Sequence, residues 1–486
     1  MVVKNNPEAI HDFLTDASNF KGNCDTVYLP ESNQDIIEVL KEAGEKGIPV
    51  TVSGKRTGLT GSAIPLNGII LSLEKMNRLI EINESEKFVV VEPGVLLGDL
   101  QAEVKKKNLF YPPDPTETNC SLGGNISTNA SGSSTFKYGA TRNFVLELEI
   151  ILASGEVINI ERNKLSARGY SVTLPLENKL EITIPKINMP PVKNAAGYFC
   201  KKDMDVIDLF IGSEGTLGIV SKAKLKLIDL PEKLLSCVAF FDSESEGLDF
   251  IKTAREISLL NKTSGQNDGI NARALEFFDS NALKFLSDDF PQVIVSGCAV
   301  WFAQEMNSAN EVIIIEKWLE LIKKNNGSDE QIWFAMDEKD HERIKEFRHA
   351  ISYKVNEFIS ANNFRKLGTD TAVPHDTFKD YYYYSKSLVE ESNIGYVIYG
   401  HFGDSHMHLN MLPKNDIEFQ AGKSIYKKLC AEAVRLGGTV SAEHGIGKTK
   451  REYLQLMYND NEISQMKKLK RQLDPKMILC PGNIFI

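Results

Sequence analysis

The 486-residue chain lacks most of the features that place a sequence quickly. No uninterrupted apolar run approaches the ~20 residues a membrane-spanning helix needs. Positive charge is in deficit: 56 Lys and Arg stand against 66 Asp and Glu, a formal net charge of -10. A nucleic-acid partner would want a basic stripe, so that class is set aside. The run Lys105-Lys106-Lys107 sits in a helix-like segment and reads as a solvated face. Seven scattered cysteines form no CxxC, which excludes a zinc ribbon and a ferredoxin-type cluster. The start, MVVKNNPEAIHDFL, has neither the apolar core of a signal peptide nor the Arg/Ser-rich, acid-poor character of a transit peptide. The expected location is therefore cytoplasmic, with reduced thiols; peripheral contact at the inner face of a membrane stays open. The GxGxxG fingerprint of a dinucleotide-binding Rossmann unit is absent, as are internal repeats and low-complexity segments.

Hydrophobic residues at 42% and charged residues at 25% describe a globular chain, and the length predicts two or three domains. SNQDIIEVLKEAGEKG has apolar residues at helical spacing and a glycine stop, and VLLGDLQAEVKKKNL repeats the pattern. LELEIILASGEVINI reads as two strands split at Ser154-Gly155. Between them lies YPPDPTETNCSLGGNISTNASGSSTFKYGATRN, roughly thirty residues without periodicity, which reads as a binding loop. A second region begins near Leu230-Pro231 and ends in an expected hairpin, GYVIYGHFGDSHMHLNMLP.

Three glycine-rich segments occupy the first half: VSGKRTGLTGS, SLGGNISTNASG and GSEGTLGIV. One such loop is usually a turn. Three together offer clustered backbone N–H groups with little side-chain bulk, which suits a pyrophosphate. With the long Asn/Ser/Gly loop they point to a large phosphate-bearing cofactor.

His401, His406 and His408 fall within eight residues of a chain that has only eight histidines. In the expected hairpin, Phe402 to Ser405 form the turn, His406 and His408 share a face, and His401 lies on the opposing strand within reach of a common ion. Two imidazoles need a third protein ligand if a solvent or substrate position is to stay open, and Glu443 is the candidate. Gly447-Lys448-Thr449 looks like the end of a phosphate-binding P-loop, but Ala442 stands where that motif requires glycine. Glu443 and His444 would crowd such a loop, so the apparent motif is a coincidence.

VSGKRTGLTGS, VEPG, FYPPDPTETNCSLGGNISTNASGSSTFKYGATRNFVLELEIILASGEV and DLFIGSEGTLGIV resemble the FAD domain of the vanillyl-alcohol oxidase type of flavoproteins. FRHAI, TDTAVP, GHFGDSHMHLN, SAEHGIGKTKREYL and LDPKMILCPGNIF resemble their FAD-linked oxidase C-terminal domain. The resemblance runs in the family's order over nearly the whole chain. Its nearest subgroup is the D-2-hydroxyacid dehydrogenases: D-lactate dehydrogenase, D-2-hydroxyglutarate dehydrogenase and the glycolate oxidase catalytic subunit. It implies an α+β fold, with a two-subdomain FAD-binding domain over residues 1–228 and an α+β cap domain with an antiparallel sheet over 229–440. The segment 441–486 would return to the FAD domain.

By this resemblance Ser53, Gly54, Lys55, Arg56, Thr57, Gly58, Leu59, Thr60, Gly61 and Ser62 would wrap the pyrophosphate of a non-covalent FAD. Pro113, Asp114, Thr116, Gly123, Gly124, Ser127 and Thr128 would line the flavin and ribityl chain, Gly215 and Ile219 would meet the adenosine half, and Asn483 is a further contact. His401, His408 and Glu443 would bind a divalent metal: zinc, with manganese or iron as alternatives. Arg348 would clamp the substrate carboxylate. Beside the resemblance, Ser352 lies one helical turn on, Asn410 follows His408 by two residues and would face the same cavity, and Lys366, near but not aligned with a family lysine, and His406 are further candidate substrate contacts. His444 would take the hydroxyl proton, and hydride would pass to flavin N5. The chain departs from the family at Lys55-Arg56, where a Gly-Gly pair is usual, at Asn483, which closes a CPGN in place of NPGK, and at His406, where the family has Asn. That histidine is open as a ligand, a partner of a ligand or a substrate contact. The expected activity is oxidation of a D-2-hydroxy acid to the 2-oxo acid, electrons leaving to a quinone, a cytochrome or an electron-transferring flavoprotein. A homodimer is allowed. The alternatives are a non-redox transferase like alkylglycerone-phosphate synthase and a flavin electron carrier without its own substrate.

Overall fold

The structure is a computed structural model that describes residues 1–265, 268–295, 297–327, 331–335 and 337–485. The chain forms two compact units. The first comprises Met1–Ser131, Ala140–Asp229 and Val440–Ile486; the second comprises Gly132–Gly139 and Leu230–Thr439.

In the first unit, strands Thr26–Leu29, Ile69–Ser72 and Val50–Ser53 pair in parallel, with Val2–Lys4 antiparallel at one edge. The helix Asn33–Lys46 covers this sheet. Ser32 caps it by accepting from the Asp35 amide, and Gly47 ends it in the left-handed region at φ 67°. Its apolar stripe of Ile36, Val39, Leu40 and Ala43 is buried against Val50, Leu71, Ile151 and Ile219. Ile478 and Leu479, from the C-terminal segment, complete that core, and the Val50 amide donates to the Ile478 carbonyl at 2.8 Å. A five-stranded antiparallel sheet, ordered Leu79–Asn83, Phe88–Val91, Ile219–Lys226, Val145–Ile151, Val157–Glu161, makes the other half of the unit. The strand pair split at Ser154-Gly155 is its outer ladder.

The segment expected to be one long loop is partly helical: Leu122–Thr128 is an α-helix and Thr135–Tyr138 another. Seven residues are too few to show a helical period, and Gly, Asn, Ser and Thr are weak helix formers. Burial of Leu122, Gly123, Asn125 and Ile126 holds the first of them, so packing overrides propensity.

The second unit is a largely antiparallel sheet whose strands run Trp333–Phe334, Lys233–Phe241, Cys298–Met306, Ala274–Phe278, Gly395–Gly400, His406–Leu412, Leu367–Gly368. The helix Glu338–Ala361 packs Ile344, Phe347, Ile351, Val355 and Ile359 into a core shared with Val238, Phe278, Trp301 and Val397. Their spacing of three and four residues leaves Arg348, Ser352 and Asn356 as a second stripe along the same helix.

Candidate functional site

In the first unit, the loop after Val50–Ser53 leaves main-chain donors unused. Among the described residues, the backbone N–H groups of Lys55 to Thr60 donate to no protein acceptor, whereas that of Gly61 donates to Asp16 Oδ2 at 2.9 Å. The cations do not reach across this row. Arg56 Nη1 bonds Glu74 Oε1 at 2.5 Å, Lys55 Nζ bonds Glu74 Oε2 at 3.3 Å, and the Arg56 guanidinium lies over the Phe13 ring. Arg56 itself adopts φ 58°, a left-handed conformation in which glycine carries no steric cost.

Glycine is required here for approach as well as for turns. A Cβ on Gly54 would stand 2.2 Å from Ser121 Oγ, and one on Gly123 would stand 2.5 Å from Pro93 Cβ. The loop at Gly54 packs on the Ser121 side chain, and the helix at Gly123 packs on Pro93, each tightly enough that an added Cβ would force a shift. An N–H-rich backbone of this kind, with little side-chain bulk, fits the diphosphate of FAD. Gly124, Ser127 and Thr128 lie on the helix Leu122–Thr128, where the Thr128 hydroxyl donates to the Gly124 carbonyl at 3.0 Å. Pro113, Asp114 and Thr116 lie in the irregular stretch before that helix. Gly215 turns at φ 72°, and a Cβ there would meet Cys480 Sγ at 2.9 Å. The Ile219 side chain lies in the core. The Asn483 amide is fully engaged by the protein: Oδ1 accepts from Lys448 Nζ at 2.6 Å, and Nδ2 donates to the Ser62 and Glu214 carbonyls.

The Gly447-Lys448-Thr449 segment binds a carboxylate where a P-loop binds phosphate. The Ile446 and Gly447 amides each donate to Glu214 at 2.7 Å. Lys448 reaches Gly61 and Ser62 carbonyls, and burial lowers its ammonium to a pKa of about 8. Burial also pushes Glu214 up to about 7 against the pull of those two amides. Just before them, Glu443 Oε2 accepts from Lys193 Nζ at 2.7 Å and from the Ser131 hydroxyl at 2.9 Å. His444 Nε2 lies 3.6 Å from Glu443 Oε1.

In the second unit the strands Gly395–Gly400 and His406–Leu412 pair antiparallel with Tyr399 opposite His408. Phe402–Asp404 form the turn, and Ser405 ends it in the left-handed region. His401 sits one residue beyond its strand, at the mouth of that turn, rather than within the ladder. Along His406–Leu412 the even positions His406, His408 and Asn410 share one face, while Met407, Leu409 and Met411 are buried in the opposite direction.

Each imidazole has an oxygen partner. His401 Nδ1 faces Glu276 Oε1 at 2.8 Å, His406 Nε2 faces Asp370 Oδ1 at 2.9 Å, and His408 Nδ1 faces the Thr369 carbonyl at 3.1 Å. The segment Leu367–Ala372 supplies two of these partners because it pairs beside the imidazole strand, Gly368 opposite Asn410 and Ala372 opposite His406. Such partners fix a proton on one ring nitrogen and aim the lone pair of the other, the arrangement found around metal-bound histidines. Among the described residues, one ring nitrogen of each of the three lies within 4.8 Å of the others. The set fits a divalent cation.

Glu276 is the hub of this side. It accepts Arg348 Nε at 2.9 Å and Nη2 at 3.1 Å as well as the His401 ring. Burial alone would raise its pKa; Arg348 and His401 override that and hold it well below the usual carboxylate range. The Arg348 fork is thus directed at Glu276, and its Nη1 meets His349 Nε2 at 2.8 Å. One turn on, the Ser352 hydroxyl donates to Tyr399 at 3.3 Å, and Lys366 Nζ donates to Asn356 Oδ1 at 3.2 Å. Asn410 is 1% exposed, and both atoms of its side-chain amide lack a hydrogen-bond partner.

Sequence reasoning missed Glu276, Thr369, Asp370, Ser131 and Lys193. Glu276 was signalled by a lone charge inside the otherwise apolar ALEFF, and Asp370 and Thr369 by TDTAVP. Nothing near Lys193 marks it.

Residues 24–161 match the family described as FAD binding domain, and residues 260–484 match FAD linked oxidases, C-terminal domain. A solved structure of alkyldihydroxyacetonephosphate synthase superposes with a TM-score of 0.65 at 14% identity, covering 99% of this chain and 83% of that one. The fold is therefore the vanillyl-alcohol oxidase type of FAD-binding fold. A D-lactate dehydrogenase of Anaerostipes hadrus is 30% identical over 98% of this chain and 93% of its own length. Glycolate oxidase subunit GlcD of Bacillus subtilis is 28% identical, covering 95% and 89%, and a D-2-hydroxyglutarate dehydrogenase of Stutzerimonas stutzeri is 28% identical, covering 94% and 90%. The chain belongs to the family of FAD-linked oxidases and dehydrogenases and is an FAD-linked oxidoreductase. Among the described residues no helix is long and apolar enough to cross a membrane.

Proposed function

We propose that this chain oxidises a D-2-hydroxy acid to the 2-oxo acid with FAD bound and a divalent cation assisting. The observation that carries the reading is the imidazole face: three rings held by oxygen partners, with the unpartnered amide of Asn410 on the same side of the strand. Relatives named for D-lactate and D-2-hydroxyglutarate over nearly the whole chain support the substrate class and its configuration.

When bound, FAD supplies a two-electron acceptor for the hydrogen leaving the α-carbon. A cation at the imidazoles supplies Lewis acidity toward the hydroxyl and carboxylate of the substrate. His401 and His408 would hold it through their Nε2 atoms, their Nδ1 atoms facing oxygen partners. Glu443 is the acidic ligand in this reading, with Lys193 and Ser131 fixing its Oε2. Asn410 offers one donor and one acceptor to the bound acid. Arg348 contributes positive charge and, through Glu276, the orientation of His401; Ser352 and Lys366 extend the polar stripe for the rest of the substrate. His444 takes the hydroxyl proton, and the neighbouring Glu443 carboxylate favours the imidazolium that results.

Anaerobic titration of the purified yellow protein tests this. A D-2-hydroxy acid bleaches the visible flavin band and its L-enantiomer does not. A folded, FAD-loaded protein that none of D-lactate, D-2-hydroxyglutarate or glycolate bleaches would overturn the reading.

A further inference from the structure

The hairpin carries one imidazole more than the two just used. His406 has its ring centroid 5.4 Å from that of His401 and 4.4 Å from that of His408, and the latter two are 5.6 Å apart. With metal–nitrogen bonds of about 2.0–2.1 Å in a tetrahedral site, the centroids of two bound imidazoles stand roughly 5 Å apart. All three pairs bracket that value.

The hydrogen bonding gives His406 the same kind of partner as His401, a buried carboxylate. His406 directs Nε2 to Asp370, and both side chains have no solvent exposure, just as His401 directs Nδ1 to the buried Glu276. A carboxylate partner on one nitrogen raises the basicity of the other and aims it, which is the outer-shell arrangement of a metal-bound histidine. For His406 the ligand-capable atom is then Nδ1. A histidine buried only to tie the strand to Asp370 would need the Nε2 bond. It would not need ligand spacing to two further imidazoles whose lone pairs repel one another unless a cation lies among them.

We propose that His406 is a third imidazole ligand of the cation held by His401 and His408, so that the second unit alone supplies three nitrogen donors. Three imidazoles make a site that favours zinc and similar borderline ions over the oxygen-seeking Mn²⁺ or Mg²⁺. The inference rests on the reading that His401 and His408 hold a divalent cation.

The test uses the full chain with FAD retained and metal removed by a chelator. Zn²⁺ and Mn²⁺ are titrated calorimetrically, with a competing chelator, into the wild type, H406N and H401N. The wild type binds one Zn²⁺. H406N binds it at least about tenfold more weakly, with a smaller change for Mn²⁺. X-ray absorption of the zinc-loaded wild type, which does not depend on a variant folding, shows scattering from three imidazoles. Two imidazoles in that spectrum, or a folded H406N with wild-type Zn²⁺ affinity, overturns the inference while leaving H401N weakened and the metal reading intact. A wild type that binds no Zn²⁺, or an H401N equal to it, removes the metal reading itself.

Discussion

In the unit that matches the FAD binding domain, the donors between Lys55 and Thr60 are main-chain N–H groups, and the two charged side chains in that loop turn to Glu74 instead. In the other unit the donors are side chains, three imidazoles each tied to an oxygen partner. The difference sets what each region tolerates. A backbone site is nearly blind to which side chain the loop carries, yet a Cβ added at Gly54 would press on Ser121 Oγ. A side-chain site is lost with one ring, and its strand is no freer on the opposite face, where Met407, Leu409 and Met411 are fully buried. It also accounts for Lys55-Arg56 in this glycine-rich loop: the Glu74 carboxylate takes both cations, and Arg56 adopts the left-handed turn.

The largest expected effect is at the imidazoles. H408A should lower kcat/KM by several kcal/mol of transition-state stabilisation, on the order of a thousandfold, because Lewis acidity is lost. Its FAD content should stay at the wild-type level; loss of FAD in that variant would mean the two regions are not separable. R348M should come next. It leaves Glu276 charged, buried and facing only His401, so denaturant unfolding should show a loss of about 3–5 kcal/mol. Glu276 has a depressed pKa when folded. Its contribution is therefore present above its unfolded value and is lost as pH falls through the folded one, so the variant should differ most near neutrality. An R348M protein of wild-type stability would make Arg348 a substrate clamp only.

A smaller effect is expected in the backbone site. G54A places a methyl group 2.2 Å from Ser121 Oγ and should cost about 1–3 kcal/mol, seen as FAD lost on gel filtration. T57A, which removes a side chain and spares the amide, should keep its FAD; equal loss from both would argue that side chains bind the cofactor. The smallest effect concerns Asp279, which caps the helix Ser280–Leu286 by accepting from the Ala282 amide at 2.7 Å. Burial pushes its pKa up to about 7. A raised carboxyl pKa means the folded state holds the proton more tightly, so stability falls as pH rises from the unfolded value of 3.8 toward 7. D279N keeps the accepting oxygen without the charge. Its unfolding free energy should change less than that of the wild type between about pH 5 and about pH 8.

The sequence revealed the elements with strong local signals and missed those that tertiary packing creates. The helix Asn33–Lys46 announced itself through its period and its Gly47 stop. The hairpin showed through its alternation, and the three histidines through their rarity. Leu122–Thr128 stayed hidden because a short helix of Gly, Asn, Ser and Thr forms only when buried. Lys193 stayed hidden because its pairing with Glu443 links residues 250 apart in the chain. Arg348 was legible through the resemblance carried by FRHAI; its partner Glu276 required the sheet to be seen.

The most direct test is to strip metal from the FAD-loaded enzyme with a chelator and add a D-2-hydroxy acid without oxygen. The account predicts that the protein stays yellow, fails to bleach, and bleaches again once Zn²⁺ is restored. Full bleaching by the stripped enzyme, at the rate of the untreated one, would contradict it.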